Sequence, residues 1–424
     1  MRKLILFILI LFPVFGNAQN RSFLIENVVI HKSDKTIENG VIGVQGDSIV
    51  LCADARVIKY DKRNFDTIIS GAGNHIWPAF ISLNTVIGLT EIDAVRATID
   101  FDEVGIINPH VRSLTSFNTD SRILPTLVNS GVLMVQSCPQ GGLISGSSSV
   151  FNVSGWNWED AVVKADDGIH LNWPSLRSRK NSADTSDANK NAIINRRKLQ
   201  EFFDLSAAYC RIQNPEKINL LYEGMRPVWN GTANLYLHAS LERDIRDAVL
   251  FAKSNGVKRI VLVGAEESSS QLKLLKENNI PVILARLHRL PDKPDESPVE
   301  NATLPALLEN AGILTALCYE GDMEAMGSRN LPFTAGNAVS YGLNPISAMN
   351  MISKNAAQII GIDNYYGSLE AGKKASFFMC NGNALDMRSA GALRVWINGI
   401  EISTDSHQKQ LYRKYLQHFE LKEN

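Results

Sequence analysis

Apolar and polar residues alternate over residues 23–69, in FLIENVVIHK, NGVIGVQGDSIVLC and TIIS. Short Val- and Ile-rich runs broken by Asn-Gly and Gly-Asp pairs predict a small antiparallel sheet. The same grammar returns near the other end, in YGSLEAGKKASFFMCNGNAL and in LRVWINGIEI, with an Asn-Gly turn at Asn398-Gly399. Strands at both ends of a chain, flanking a long alternating middle, predict one sheet domain built from both termini, residues 19–75 plus 366–402.

The middle, residues 76–365, alternates strands with helices. It opens on IWPAFISLNTVIGLTEI, where an apolar run through Ile76, Trp77, Phe80 and Ile81 turns polar at Ser82 and Asn84. That pattern reads as a buried strand whose C-terminal end opens into a polar place. Residues 90–118 follow, rich in acids (Glu91, Asp93, Asp100, Asp102 and Glu103), and read as a lid over the mouth or as a surface excursion. Residues 123–129 predict a helix leading into the strand GVLMVQSC. The next segment, PQGGLISGSSSV, reads as a flexible strand-to-helix loop. Its Gly141, Gly142 and Gly146 offer backbone amides to a phosphate, but no GK[ST] or GxGxxG follows them.

Three tryptophans, Trp156, Trp158 and Trp173, either line a ring-binding mouth or pack under this loop. Residues 175–191 carry almost no apolar side chain and predict a mobile surface loop, before an amphipathic helix over 192–211. The clearest β-α-β-α-β passage comes next, with strands at 234–237, 258–263 and 281–284. Parallel strands recurring every roughly 22 residues imply right-handed crossovers and, over this length, a closed (β/α)8 TIM barrel of the α/β class. Two helices broken at Gly342 and Asn344-Pro345 close it, and residues 403–424 form a short charged helical tail.

At the start, Arg2 and Lys3 precede an apolar run, and Gly16-Asn17-Ala18 places small residues where a signal peptidase cuts. This predicts a signal peptide over residues 1–18 and export to the periplasm or the outside. The run falls short of the ~20 residues a membrane span needs, and no other run reaches them. Charge is nearly balanced, 43 basic against 44 acidic residues, so nucleic acid and anionic membranes are poor partners. The 5 cysteines are scattered without a CxxC pair and read as buried apolar fillers.

Candidate chemistry starts at His238, which follows the apolar run LYL where a barrel side chain points into the mouth. A family resemblance enlarges it. Residues 76–92 resemble the first barrel strand of the metal-dependent amidohydrolase superfamily, in its imidazolonepropionase-like branch, whose motif PGFIDxHxH carries two metal-binding histidines. Aligned on Pro78, Phe80 and Ile81, this chain has Ala79 for the glycine, Ser82 for the aspartate, Asn84 for the first histidine and Val86 for the second. The family's C-terminal signature, NPAxxLGxxxxxGSLExGKxADLVV, is matched by Asn355-Ala356-Ala357, Ile360-Gly361, Gly367-Ser368-Leu369-Glu370 and Gly372-Lys373. Ser376 stands where the signature has its aspartate.

The resemblance implies a discontinuous β-sandwich bracketing the barrel, with His238 at the position of the fifth strand's metal-binding histidine. On the sixth strand Val263 precedes Gly264 where a histidine is expected, with Glu266 and Glu267 behind. On the eighth, Glu320 lies nearest the expected aspartate and Asp322 two residues on. By family the reaction is hydrolysis of a C–N bond other than a peptide bond in a small-molecule substrate.

Zinc or another divalent metal at His238 would need unusual partners such as Asn84, Glu266 or Asp322, since a hydrolytic site takes about three protein ligands. Two carboxylates at the mouth offer acid/base work without metal if burial separates their pKa values; solvated rim residues are the plain alternative. The catalytic candidates are His238 and Glu320, and the pocket candidates Asn84, Glu91, Glu266 and Asp322. The competing class is a non-catalytic barrel that binds a ligand, forms a homo-oligomer or pairs with an active homologous subunit. A carbohydrate-binding reading rests only on the three tryptophans.

Overall fold

The computed structural model describes residues 22–176, 185–291, 296–321 and 323–421. The predicted signal peptide, Asp322 and residues 177–184 of the predicted surface loop lie outside them. Among the described residues no helix is long and apolar enough to cross a membrane.

The alternating N-terminal segment forms β1 (Ser22–His31), β2 (Thr36–Gln45), β3 (Ser48–Asp54), β4 (Thr67–Ser70) and β5 (His75–Pro78). The first three run antiparallel, while β4 and β5 lie parallel to β1 along its other edge. Gly46, at φ 62, makes the β2–β3 turn. The Asn39-Gly40 pair makes no turn and stands inside β2. A Cβ on Gly40 would lie 2.4 Å from the Ile30 side chain, so glycine serves close approach there. The apolar run of residues 76–81 is shared between two sheets: β5 belongs to this one, and after Ala79 the chain enters the barrel.

The barrel begins with β6 (Phe80–Thr85) and passes through helix α1 (Leu124–Val128) to β7 (Val132–Ser137) and β8 (Ile144–Asn152). A short α2 (Trp158–Ala161) leads to β9 (Val162–Asn172), then α3 (Thr185–Cys210) and α4 (Leu220–Asn230). The repeating units follow: β10 (Asn234–Ala239), α5 (Glu242–Ser254), β11 (Ile260–Gly264), α6 (Leu272–Glu277), β12 (Val282–Leu284), α7 (Glu300–Asn310) and β13 (Thr315–Leu317). Four helices close the fold, α8 (Glu324–Gly327), α9 (Leu331–Ser340), α10 (Pro345–Met351) and α11 (Lys354–Ile360). The chain then returns to the first sheet as β14 (Phe377–Cys380), β15 (Ala392–Ile397) and β16 (Ile400–Ile402) and ends in α12 (His407–His418). β14 pairs with β5, so the strands of both termini form one continuous sheet.

The barrel sheet runs from β6 to β13 in sequence order and is closed by a parallel bridge between Leu83 and Cys318. Seven strands are parallel and β8 is antiparallel to both neighbours, a departure from the regular (β/α)8 pattern. The connections on either side of β8 are too short for a crossover helix, so the chain folds back on itself. The glycine- and serine-rich segment read as a loop is therefore mostly a fully buried strand. The helix expected at residue 192 already begins at Thr185, inside the segment read as loop.

Ile81, Leu83, Met134, Val150, Tyr236, Val261, Val263 and Ile283 fill the barrel, and Ala356, Ala357, Ile359 and Ile360 of α11 pack against them. Asn234 donates from Nδ2 to the Ile359 carbonyl at 3.0 Å, and Lys164 donates from Nζ to the Ile360 carbonyl at 2.6 Å. These bonds satisfy carbonyls at the C-terminus of α11, where no further turn supplies N–H donors to them. The opposite end, where the parallel strands finish, stays open.

Barrel and terminal sheet meet at Phe378, whose ring packs edge-on against Phe80 with centroids 5.1 Å apart. Gly131, at φ +72 before β7, lets the backbone approach: a Cβ there would lie 2.2 Å from the Phe378 ring. Gly131→Ala is expected to lower the unfolding free energy in urea by about 2–4 kcal/mol, from strained backbone and overpacking together. An unchanged value would mean the two bodies are not locked at this contact.

Candidate functional site

Strand ends set out the site. Asn84 at the end of β6, Gln140 after β7, Ser145 at the start of antiparallel β8, Asn172 at the end of β9, His238 on β10 and Glu320 after β13 all line one cavity of about 530 Å³. Glu324, Asp93, Phe101, Val86 and Met323 complete its polar and apolar walls. It occupies the C-terminal face, where barrels of this kind place their chemistry. Two lining residues that are not glycine hold left-handed backbone, Asn84 at φ 50 and Met323 at φ 54. Such conformations cost energy and gather at functional sites.

Beneath the mouth, polar side chains tie five consecutive strands together. Asp167 of β9 accepts from Ser148 Oγ of β8 at 2.6 Å, Gln136 Nε2 of β7 at 3.0 Å and Tyr236 Oη of β10 at 2.5 Å. Gln136 in turn accepts through Oε1 from the Asn84 amide of β6 at 3.0 Å. Burial pushes the Asp167 carboxyl above its usual range, and its three donors pull the other way. A fully bonded buried network of this kind fixes strand register and holds Asn84 in place.

His238 does not face the cavity alone. Its Nε2 lies 2.9 Å from Nδ1 of His170 on β9, one ring donating and the other accepting. The His170 ring stacks on Tyr236 with centroids 4.5 Å apart. Burial holds both imidazoles neutral at ordinary pH, pulling His238 down to about 4 and His170 well below its usual value. His170 went unrecognised in the sequence, where DDGIHLN carries no motif; its spacing on a strand beside His238 becomes visible only in the sheet register, Tyr236 opposite His170.

Glu324, at the start of α8, is the other residue that sequence reasoning missed. It is 7% exposed, and its carboxyl accepts from Thr85 Oγ1, from the Val86 amide at 2.9 Å and from Ser328 Oγ at 2.9 Å. Desolvation outweighs these bonds and raises its pKa from an ordinary 4.5 to about 7, with the nearby charge of Glu320 acting in the same direction. Of the residues picked from the sequence, the structure brings Asn84, His238 and Glu320 together in the cavity. Glu91 is not among the lining residues; its carboxylate accepts from Asn118 Nδ2 at 3.3 Å and the Arg122 amide at 3.3 Å. Glu266 also stands off the lining, 3.7 Å from Arg289. Trp156 is 88% exposed, while Trp158 and Trp173 pack against the core.

The donor set of the described residues does not fit a hydrolytic zinc centre. Among the described residues no three His, Cys, Asp or Glu side chains come together to hold a metal ion, against the three such a centre takes. His170 and His238 spend one nitrogen each on one another.

Residues 234–402 match the model of the Amidohydrolase family. No curated protein matches the chain. Among solved structures, the chain is similar to an amidohydrolase from Thermotoga maritima MSB8, with 21% identity, a TM-score of 0.77, and 90% of this chain and 99% of that one covered. It is also similar to a zinc-bound adenosine deaminase from Xanthomonas campestris, with 14% identity, a TM-score of 0.54, and 94% and 97% covered. A third is a Xaa-Pro dipeptidase with methionine bound in its active site, at 12% identity, a TM-score of 0.54, and 90% and 100% covered. At these identities the likeness to solved structures is one of fold.

The Glu324 carboxyl gives a stability signature. Between its ordinary 4.5 and about 7 the folded chain holds a proton that the unfolded chain has released. Its contribution is whole below the lower value and is lost as pH rises to the upper one. Urea unfolding from about pH 4.5 to about pH 8 is expected to show the wild type losing on the order of 3 kcal/mol relative to Glu324→Gln. Parallel curves for the two proteins would contradict the raised value.

Proposed function

We propose, from the match of residues 234–402 to the Amidohydrolase family and from the likeness of fold, that this chain hydrolyses a C–N bond other than a peptide bond in a small molecule held at the barrel mouth. The observation that carries this reading is the buried Glu324 carboxyl, poised near neutrality in the wall of the cavity. A group with a pKa near the working pH is half in each form and serves as base and then as acid. As carboxylate, Glu324 takes a proton from a water molecule that adds to the substrate's carbonyl carbon. As carboxylic acid, it returns that proton to the nitrogen as the C–N bond breaks, giving an acid and an amine.

Neutral His238, oriented by His170, hydrogen-bonds the substrate without adding charge. Asn84, whose backbone amide is pinned by Gln136, offers a side-chain amide to the same molecule. Glu320 keeps Glu324 protonated more often by its own charge, which is how a pair of neighbouring carboxyls is split into different roles.

The second reading, a barrel that binds a small molecule without turnover, alone or paired with an active homologous subunit, draws on the histidine pairing and on Asn84 and Val86 at the first strand's end. The N-terminal residues support export, with the mature chain starting at Gln19.

Screening against a panel of cyclic amides, imides and dipeptide-like compounds separates the readings. Glu324→Gln is expected to cut kcat on any active member by about 10²–10⁴, and His238→Ala by a similar factor, with both variants folded. Turnover that survives Glu324→Gln would remove it from the mechanism, and saturable binding without turnover of any member would favour the second reading. Mass analysis of the protein from its exporting cell is expected to find Gln19 as the first residue, and an intact Met1 would overturn export.

A further inference from the structure

The cavity has a sign. Three carboxyls line it, Asp93, Glu320 and Glu324, together with the uncharged Asn84, Gln140, Asn172 and His238. No lysine or arginine stands among the described lining residues. Two arginines follow β12, and the guanidinium of Arg286 lies against Gly321 of the cavity wall, where it offsets part of the negative charge of the three carboxyls. Arg286 donates from Nε to the Glu320 carbonyl at 2.8 Å and lies over the Tyr319 ring, lining a separate outer cavity. Arg289 binds Glu296 at 2.6 Å and stands 3.7 Å from Glu266.

The acid-rich segment after β6 extends the same field outward. It carries Glu91, Asp93, Asp100, Asp102 and Glu103 against Arg96 and Arg112, and Arg112 is clamped by Asp166 through bonds of 2.9 and 2.6 Å. The segment reaches the cavity through Asp93 and Phe101, and its backbone bridges to the rim at Asp102 and Gln140. Asp102 Oδ1 would lie 2.3 Å from a Cβ on Gly141, so the carboxylate presses on the rim where only glycine leaves room. A low-dielectric cleft edged by one sign of charge concentrates ligands of the other sign and repels its own. Phe101 adds an aromatic ring, which attracts cations through its quadrupole.

We infer that the mouth selects a small molecule bearing a cationic nitrogen, an amine or amidine, and turns away carboxylate-bearing ones. This rests on the reading of the mouth as the functional site and narrows it: free dipeptides, with their terminal carboxylate, are poor ligands, and amino-substituted amides or ring compounds are good ones. The cavity volume, about 530 Å³, suits one such molecule.

The test is calorimetric titration with two probes of matched size, 2-phenylethylamine as the cation and 3-phenylpropionate as the anion, at low ionic strength and mildly alkaline pH. The amine is expected to bind at least about tenfold tighter, with the preference shrinking as salt is added. Asp93→Asn and Glu320→Gln are each expected to reduce that preference severalfold; Asp93 is exposed, so its variant folds. Equal or tighter binding of the carboxylate, weakened when Asn172→Trp fills the mouth, would overturn the charge selection and leave the site standing. Amine binding that ignores Asp93→Asn, Glu320→Gln and Asn172→Trp would place the ligand elsewhere and overturn both. Absence of binding by either probe at millimolar concentration would also overturn the inference.

Discussion

The buried carboxyl of Glu324 joins the two ends of the barrel sheet. β6 and β13 are the first and last strands on the hydrogen-bonded path, and a single bridge, Leu83 to Cys318, closes the gap between them. Glu324 follows β13 in the chain, yet it accepts from the Thr85 hydroxyl and the Val86 amide where β6 ends. A carboxyl in that position does two things at once. It satisfies a backbone amide that the short closing bridge leaves without a ladder partner, and it brings a titratable group into the mouth. Burying it is costly, and the cost appears as a raised affinity for a proton. Seam and titratable group are therefore one feature.

The rest of the mouth is held from below. Asp167 collects Ser148, Gln136 and Tyr236 from three neighbouring strands, and Gln136 passes the constraint on to Asn84. Tyr236 carries the stacked His170, which orients His238. Side chains that line the cavity are thus positioned by side chains beneath it, a requirement for chemistry that tolerates little misplacement.

Much of this was legible in the sequence, for definable reasons. The strands around Leu235, Leu262 and Ile283 announce themselves because each is apolar and short and helical segments with polar outer faces separate them, so periodicity alone finds them. His238 stands out because it ends one of these runs. β8 hides because its buried residues include Ser147, Ser148 and Ser149, whose burial depends on partners elsewhere, Ser148 bonding to Asp167 and Ser149 accepting from the Asp166 amide. The first turns of α3 hide because the segment before Ile193 has hardly any apolar stripe to read. Glu324 could not be found from its neighbourhood at all: Thr85 and Val86, which give it meaning, are more than two hundred positions away in the chain. Local pattern identifies elements, whereas a site assembled from the two ends of a barrel is a property of closure.

The family resemblance and the geometry part company at the metal. Where the family motif has histidines, the first strand offers Asn84 and Val86, and the two histidines present bind each other. Under the proposed function, proton transfer falls to the chain's own carboxyl. The most direct test of this reading is the metal content of the purified mature protein after dialysis against chelator-free buffer containing zinc, followed by buffer alone. The account predicts that no stoichiometric zinc is retained and that ligand binding or turnover is the same before and after a chelator. A full equivalent of zinc, held through dialysis and lost in His238→Ala, would contradict it.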